Sequence, residues 1–295
     1  MAEPTRRRRS PLLWFVLPAG LVLLAVDLGP MLYALRASFT FWRLIEPGSE
    51  NDFAGLANYA DILGSGEFWS AVGVTVTYAA GSIACGLVFG TAVALALDLD
   101  FHARGFFRAA MMIPMVVTPS VIGIFWKLLY EGENGVFNTA LHGLGLPGVP
   151  WLGLGMALPS MVITDVWQTT PFFMLVILAG LQAIDPSLVE AGRVDGTTRW
   201  QGFRHILLPH LVPYMLIAAA FRAIAAMGDF DKIWLLTAGG PGVRTTTITI
   251  YAYKTGFSAF DIGRTAAIAT IFVAIVLLVS APLLRHLFRT AAAEA

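Results

Sequence analysis

A single cysteine, Cys85, stands among the 295 residues, so the chain can form no intrachain disulfide and no cysteine-rich metal site. Charge is nearly as scarce. Asp, Glu, Lys and Arg together make up 13% of the chain, where a soluble domain carries about 25%. Lysine is rarer than arginine, and positive and negative residues cancel to a net charge of zero. No G-x-x-x-x-G-K-[ST] run is present, so the chain has no phosphate loop of its own. The run Gly239-Gly240-Pro241-Gly242 has neither the lysine nor the following helix of such a loop and reads as a turn. Neither H-E-x-x-H nor G-x-S-x-G occurs, which argues against an enzyme built within the membrane. Tandem repeats are missing, and so is the inverted internal symmetry common in secondary transporters.

What the chain has in abundance is apolar sequence: 57% of its residues, with a mean hydropathy of +0.73. A membrane-crossing helix needs about 20 apolar residues. Six runs meet that length, at about 12–36, 70–97, 106–129, 157–181, 210–228 and 265–284. The expected fold class is therefore an all-α membrane protein of six transmembrane helices, a single domain over 1–295 with the lipid bilayer as its surroundings. Arg6 to Arg9 before the apolar run from Leu12 resemble the start of a signal peptide. Asp27-Leu28-Gly29-Pro30 is no small-x-small cleavage site, so an uncleaved anchor is expected. Arg6–Arg9, Arg104, Arg108, Arg193, Arg199, Arg204, Arg285 and Arg289 fall on one side of the six-span arrangement, and most acids on the other. By the positive-inside rule, both termini (1–11 and 285–295), the loop at 98–105 and the segment at 182–209 are cytoplasmic. Trp14, Trp42, Trp69, Trp126 and Trp151 fall near span ends, as interfacial anchors do.

The segment Glu190 to Pro209 is too ordered for a plain connector. Ser187 and Glu190 have the spacing of a capping box. Leu188, Ala191 and Gly192 share one helical face, and Gly196, preceded by Asp195, is a stop signal. A second helical stretch presents Phe203, Ile206 and Leu207, with Pro209 and Pro213 expected to break it near the membrane. A capped helix with a small-residue face, on the cytoplasmic side, suits docking to another protein. His205 and His210, at i and i+5 with no third partner, do not have metal-ligand spacing and read as headgroup-level polar residues.

Those residues carry a family resemblance. Glu190, Ala191, Gly196, Ile206, Leu208 and Pro209 fit the pattern E-A-A-x3-G-x9-I-x-L-P of the cytoplasmic coupling loop of binding-protein-dependent ABC importer permeases. Gly192 departs from it by replacing the second alanine, at a cost of about 1 kcal/mol of helix propensity, and a slightly looser helix is expected. Phe53-Ala54-Gly55-Leu56-Ala57-Asn58-Tyr59, Arg104-Gly105-Phe106-Phe107-Arg108 with Pro114 and Trp126, and Leu235-Leu236-Thr237-Ala238-Gly239-Gly240-Pro241 resemble motifs of the maltose and glycerol-phosphate branch. The resemblance runs from about Pro30 to Tyr253. It implies a type I ABC importer permease fold in the bacterial cell membrane, with both termini cytoplasmic. It also implies a homologous second permease, two ATPase subunits and an extracytoplasmic sugar-binding protein, with no nucleic acid among the partners. No cofactor is expected on this chain; ATP and Mg belong to the ATPase subunits. The coupling residues it implies are Glu190, Ala191, Gly192, Asp195, Gly196, Ile206, Leu208 and Pro209. A secondary transporter, moving solute without an ATPase, is the competing function.

Polar groups at membrane depth are costly and default to functional candidates. One cluster is Asp165, Trp167, Gln168, Thr169, Thr170 and Pro171-Phe172 in the fourth span; another is Arg222, Met227, Gly228, Asp229 and Asp231 at the end of the fifth. Carried over by position from sugar permeases, the resemblance implicates Trp167, Gln168, Thr169, Phe172, Met227, Gly228 and Asp229 in the substrate pathway, beside Asp165 and Arg222. The competing reading makes Trp167 and Phe172 packing residues and Gln168 and Thr169 interhelical hydrogen bonders. Arg222 and Asp229 are two turns apart, so a direct pair is not expected; Asp165 is the alternative partner of Arg222. The competing reading also places Asp229 and Asp231 at the outer interface, solvated, with Asp231 pairing Lys232 or Arg244.

Overall fold

Extended apolar runs have no polar partner for their backbone in lipid, so they must satisfy N–H and C=O groups internally, as helices. The computed structural model describes residues 12–293, with side chains from 17 to 281, and shows that outcome. Arg6–Arg9 and the side chains of Trp14, Arg285 and Arg289 lie outside the described residues. The helices are α1 (Leu12–Leu23), α2 (Gly29–Ala37), α3 (Ala57–Gly64), α4 (Gly66–Asp98), α5 (Arg104–Val116), α6 (Pro119–Leu129), α7 (Val136–Gly143), α8 (Ala157–Gln182), α9 (Pro186–Val194), α10 (Arg199–Gly202), α11 (Leu208–Met227), α12 (Asp231–Thr237), α13 (Ile248–Tyr253) and α14 (Ile262–Ala293). Among the described residues no strand forms, and only isolated bridges join Thr40 to Phe53 and Arg43 to Asp261.

Among the described residues, five continuous helical stretches are long and apolar enough to cross a membrane: Leu17–Ala37, Gly66–Asp98, Ala157–Gln182, Arg199–Met227 and Ile262–Ala281. The third expected span is not one straight helix. It is α5 and α6 meeting at a 95° bend. The cause is local. Pro119 disfavours a helical conformation in the residue before it, and Thr118 is extended at φ −63°, ψ 142°.

The chain divides into two compact units, Met1–Gly64 with Ala252–Val273, and Ser65–Tyr251 with Ala274–Ala295. In the first unit the motif at Phe53–Tyr59 is a backbone clasp. Asn58 Nδ2 donates to the carbonyls of Ser38 and Thr40, each at 2.9 Å, and the Tyr59 hydroxyl meets Ser38 Oγ at 2.5 Å. The Ile262 and Gly263 amides donate to the Trp42 carbonyl.

The second unit is built on α4 against α8. Gly86 and Gly90 let the helices approach: a Cβ at either would overlap Phe173, and Phe173 is fully buried with Met174 and Ile177. At Gly81 a Cβ would only press on Val162, at 3.3 Å, and Gly73 faces open space. Filling such a contact forces off-rotamer shifts that cost about 1–3 kcal/mol. Gly90→Leu should therefore lower the thermal midpoint of the detergent-purified protein, and Gly73→Leu should not. Similarly, Gly123 brings α6 onto α12: a Cβ there would sit 2.8 Å from the Lys232 carbonyl. That approach sets Lys232 in the interior.

Candidate functional site

Four charged side chains, from three helices and a turn, converge inside the second unit. Asp165, on α8, is fully buried. It accepts from Arg222 Nη2 of α11 at 2.6 Å, from Lys232 Nζ of α12 and from Ser82 Oγ of α4. Asp229, in the turn between α11 and α12, accepts from the same Arg222 nitrogen at 2.7 Å and from the Tyr78 hydroxyl at 2.8 Å, and pairs with Lys232 at 3.1 Å. Lys232 also donates to Gln168 Oε1 at 3.2 Å, and Thr249 Oγ1 holds the Asp229 carbonyl at 3.0 Å. Two carboxylates and two cations make the cluster neutral. At an effective dielectric of 20, each contact of about 3 Å supplies roughly 5 kcal/mol of attraction, against a desolvation cost of several kcal/mol per ion. Multiple bonding of every member is what makes the burial tolerable.

This geometry answers the pairing question. Arg222 reaches Asp165 across helices, and it also reaches Asp229 directly, contrary to the expectation from helical spacing. The reason is that α11 stops at Met227, with Gly228 as its C-cap, so Asp229 lies beyond the helix and folds back. Lys232 does not go to Asp231; it bridges Asp165 and Asp229. Lys232, Tyr78 and Ser82 are the members that sequence reasoning missed. A lysine directly before the apolar run Ile233-Trp234-Leu235-Leu236 was the available signal.

A cavity of about 380 Å³ opens beside the cluster, lined by Gln168, Thr169, Phe172, Arg222, Asp229 and Lys232, with Met115 and Pro119 from the bent third span. Its size lies in the range of small-molecule sites, about 300–1,000 Å³. Among the expected pathway residues, Asp165 sits buried behind this lining. Trp167 is elsewhere: its ring meets Trp126 edge-on at 5.6 Å, a packing contact. Met227 is buried and Gly228 shapes the helix end; neither lines the cavity.

The polar segment after α8 folds into short capped helices. Its start differs from the expected Ser187–Glu190 box. Asp185 is the N-cap, accepting from the Ser187 amide at 2.9 Å with Pro186 in the first turn, and those bonds hold the exposed Asp185 carboxyl below the usual carboxylate range. The capping box belongs to Thr198 and Gln201, which start α10. α9 ends at Gly196, at φ +76°, in a closing pair of bonds from the Thr197 amide to Gly192 O and from the Gly196 amide to Arg193 O. Leu188 and Ala191 are exposed with Glu190 and Val194, but Gly192 turns inward. A Cβ on Gly192 would lie 2.5 Å from Ile206 Cδ1, so the glycine seats Ile206 rather than loosening α9.

The expected break at Pro209 does not occur. Phe203–Leu207 forms a π turn, with the Leu208 amide bonded to Phe203 O. Pro209 follows directly on this wider turn, whose i→i−5 register takes up the missing N–H within a continuous helix. His205 and His210 each bond a carbonyl four residues back on the same helix. One helical stretch therefore runs from Arg199 to Met227. The motif ending Gly239-Gly240-Pro241 is a turn fastened by buried threonines: Thr245 Oγ1 donates to Gly240 O at 2.7 Å and Thr246 Oγ1 to Gly239 O at 3.0 Å.

Membrane-length helices, with a cavity whose largely apolar wall carries a buried charge cluster and a connecting segment that presents an exposed capped helix, suit a membrane transport subunit. Residues 82–292 match the family described as binding-protein-dependent transport system inner membrane component, and the chain belongs to that family. It is 54% identical over 98% of its length, and 95% of the relative's, to a probable ABC transporter permease protein, y4oQ, of Sinorhizobium fredii. It is 39% identical, over 81% of its length and 82% of the relative's, to the trehalose/maltose transport system permease protein MalF of Thermococcus litoralis. With the sulfoquinovosyl glycerol transport system permease protein SmoG of Agrobacterium fabrum it shares 33% identity over 91% of its length and 87% of the relative's. Its fold is similar to a chain in the crystal structure of a bacterial alginate ABC transporter in complex with an alginate pentasaccharide-bound periplasmic protein, at a TM-score of 0.79, 22% identity and 92% coverage of both chains. The protein is thus a multi-pass inner-membrane permease subunit of an ABC importer, a transport component and not an enzyme.

Proposed function

We propose that the chain forms half of the pathway for a sugar or sugar-like solute. A homologous permease supplies the other half. Two ATPase subunits, which carry ATP and Mg, dock on the cytoplasmic segment 182–209, and an extracytoplasmic sugar-binding protein delivers the solute. The transported class is supported by relatives named for trehalose/maltose and for sulfoquinovosyl glycerol, and the orientation, with both termini and the docking segment cytoplasmic, by the distribution of arginine. Glu190, Ala191, Gly192, Asp195, Gly196, Ile206, Leu208 and Pro209 couple the chain to the ATPase. Asp165, Gln168, Thr169, Phe172, Arg222 and Asp229 serve the pathway.

One observation carries the coupling mechanism. The helical stretch Arg199–Met227 bears Ile206, seated on Gly192, near one end and Arg222, in the cavity wall, near the other. At 1.5 Å per residue it spans roughly 40 Å. A push on α9 is delivered to the cavity by one rigid element, which switches access as a rigid-body transition biased by nucleotide.

The test is retention of ATPase on the affinity-tagged chain isolated from its own membranes. Gly196→Val forces a β-branched residue into a left-handed backbone, and Glu190→Trp fills the exposed face. Each should reduce co-purified ATPase activity at least tenfold with an unchanged yield of membrane-inserted chain. Full retention by both variants would remove the docking role.

A further inference from the structure

We infer that the neutral cluster of Asp165, Arg222, Asp229 and Lys232 makes this pathway selective for uncharged, hydroxyl-bearing solutes over anionic ones. The inference rests on the reading that the cavity of about 380 Å³ conducts a sugar-like solute. Both cations in the cavity wall are already committed. Arg222 Nη2 serves Asp165 and Asp229, and Lys232 Nζ serves Asp165, Asp229 and Gln168. The two positive charges are balanced at contact distance, so the cavity has no net field with which to repay an ion for its lost hydration. An anion would have to break these pairs and leave a carboxylate buried and uncompensated.

A hydroxyl needs only a donor or acceptor. Arg222 is nine-tenths buried and lines the cavity, and its Nε has no hydrogen-bond partner among the described residues. That nitrogen has essentially no accessible surface, so a solute hydroxyl meets the other polar groups of this wall. Thr169 and Gln168 add polar groups to the same wall, and Phe172 adds a ring face. The polar inventory thus fits a solute with many weak acceptors and no formal charge. Relatives named for neutral and for sulfonated solutes show that the family itself does not decide this point; the charge balance of this chain's own residues does.

The experiment measures equilibrium binding of radiolabelled maltose, trehalose and maltobionate (maltose oxidised to a carboxylate at its reducing end) to the purified importer of permeases and ATPases, without its binding protein. The intact importer should bind a neutral disaccharide at least tenfold more tightly than maltobionate. Asp229→Asn leaves the cluster with one excess positive charge and should shrink that ratio at least tenfold. The double variant Asp229→Asn/Lys232→Met is neutral again and should restore it, which separates a charge effect from damaged folding. Equal or tighter binding of maltobionate by the unaltered importer overturns the inference while leaving the sugar reading in place. A ratio unmoved by Asp229→Asn in a well-folded complex also overturns it. If no disaccharide of either kind binds, the sugar reading falls and the inference with it.

Discussion

Asp165→Ala is expected to destabilise the protein by about 3–5 kcal/mol, the cost of breaking a buried ion pair from one side. Asp165 is the fully buried member to which Arg222, Lys232 and Ser82 all point. Without it, two buried cations share the single carboxylate of Asp229. The loss should appear as a lower thermal midpoint in detergent and a lower yield of assembled importer. Rescue variants locate the cause. A simple exchange, Asp165→Arg with Arg222→Asp, is expected to regain little, because Lys232 would then face an arginine in place of its carboxylate. Asp165→Asn with Lys232→Met keeps the cluster neutral and should regain most of the stability. If the exchange alone rescues fully, Lys232 does not belong to the cluster.

The second large effect is expected at Gly192. Leucine there must displace Ile206, whose terminal methyl occupies the space of a Cβ, and α9 is pushed off the helix that it would drive. The overpacking costs about 1–3 kcal/mol, concentrated at the joint between α9, the proposed docking helix, and the stretch Arg199–Met227. Transport in proteoliposomes should fall at least tenfold while membrane insertion changes little. Gly192→Ala should be milder, since a rotation of Ile206 clears one methyl. Adding Ile206→Ala to Gly192→Leu should recover part of the activity. Wild-type transport by Gly192→Leu would show that the joint does not carry force.

Much of this protein is legible in its sequence because membrane helices announce themselves by length and hydropathy. The runs at 70–97, 157–181 and 265–284 correspond to α4, α8 and the first part of α14. Gly196 is legible because few other residues tolerate its left-handed backbone. The misreadings share a physical origin in competition between local signals. Hydropathy carried the third span straight through Pro119, although the backbone preference of Thr118 bends it by 95°. Asp185 and Ser187 lie two residues apart and both can cap; the proline between them favours Asp185, because it fits the first turn. Pro209 looked like a break, but a π turn upstream absorbed it. The charge cluster was half visible. Asp165, Arg222 and Asp229 stood out as charges at membrane depth, whereas Lys232 depended on where α11 ended and on the glycine contact that draws α12 inward, both long-range outcomes of packing.

The proposed coupling carries nucleotide-driven movement at α9 to the cavity along one helix. Thiol accessibility tests it most directly. In an otherwise cysteine-free chain (Cys85→Ser), Ala225→Cys puts a thiol in the cavity wall. In the intact importer, its modification by a membrane-impermeant reagent added outside should speed up several-fold when a non-hydrolysable ATP analogue traps the ATPases, and Gly192→Leu should abolish that increase. Equal rates with and without the analogue, or the same increase in Gly192→Leu, would contradict the account.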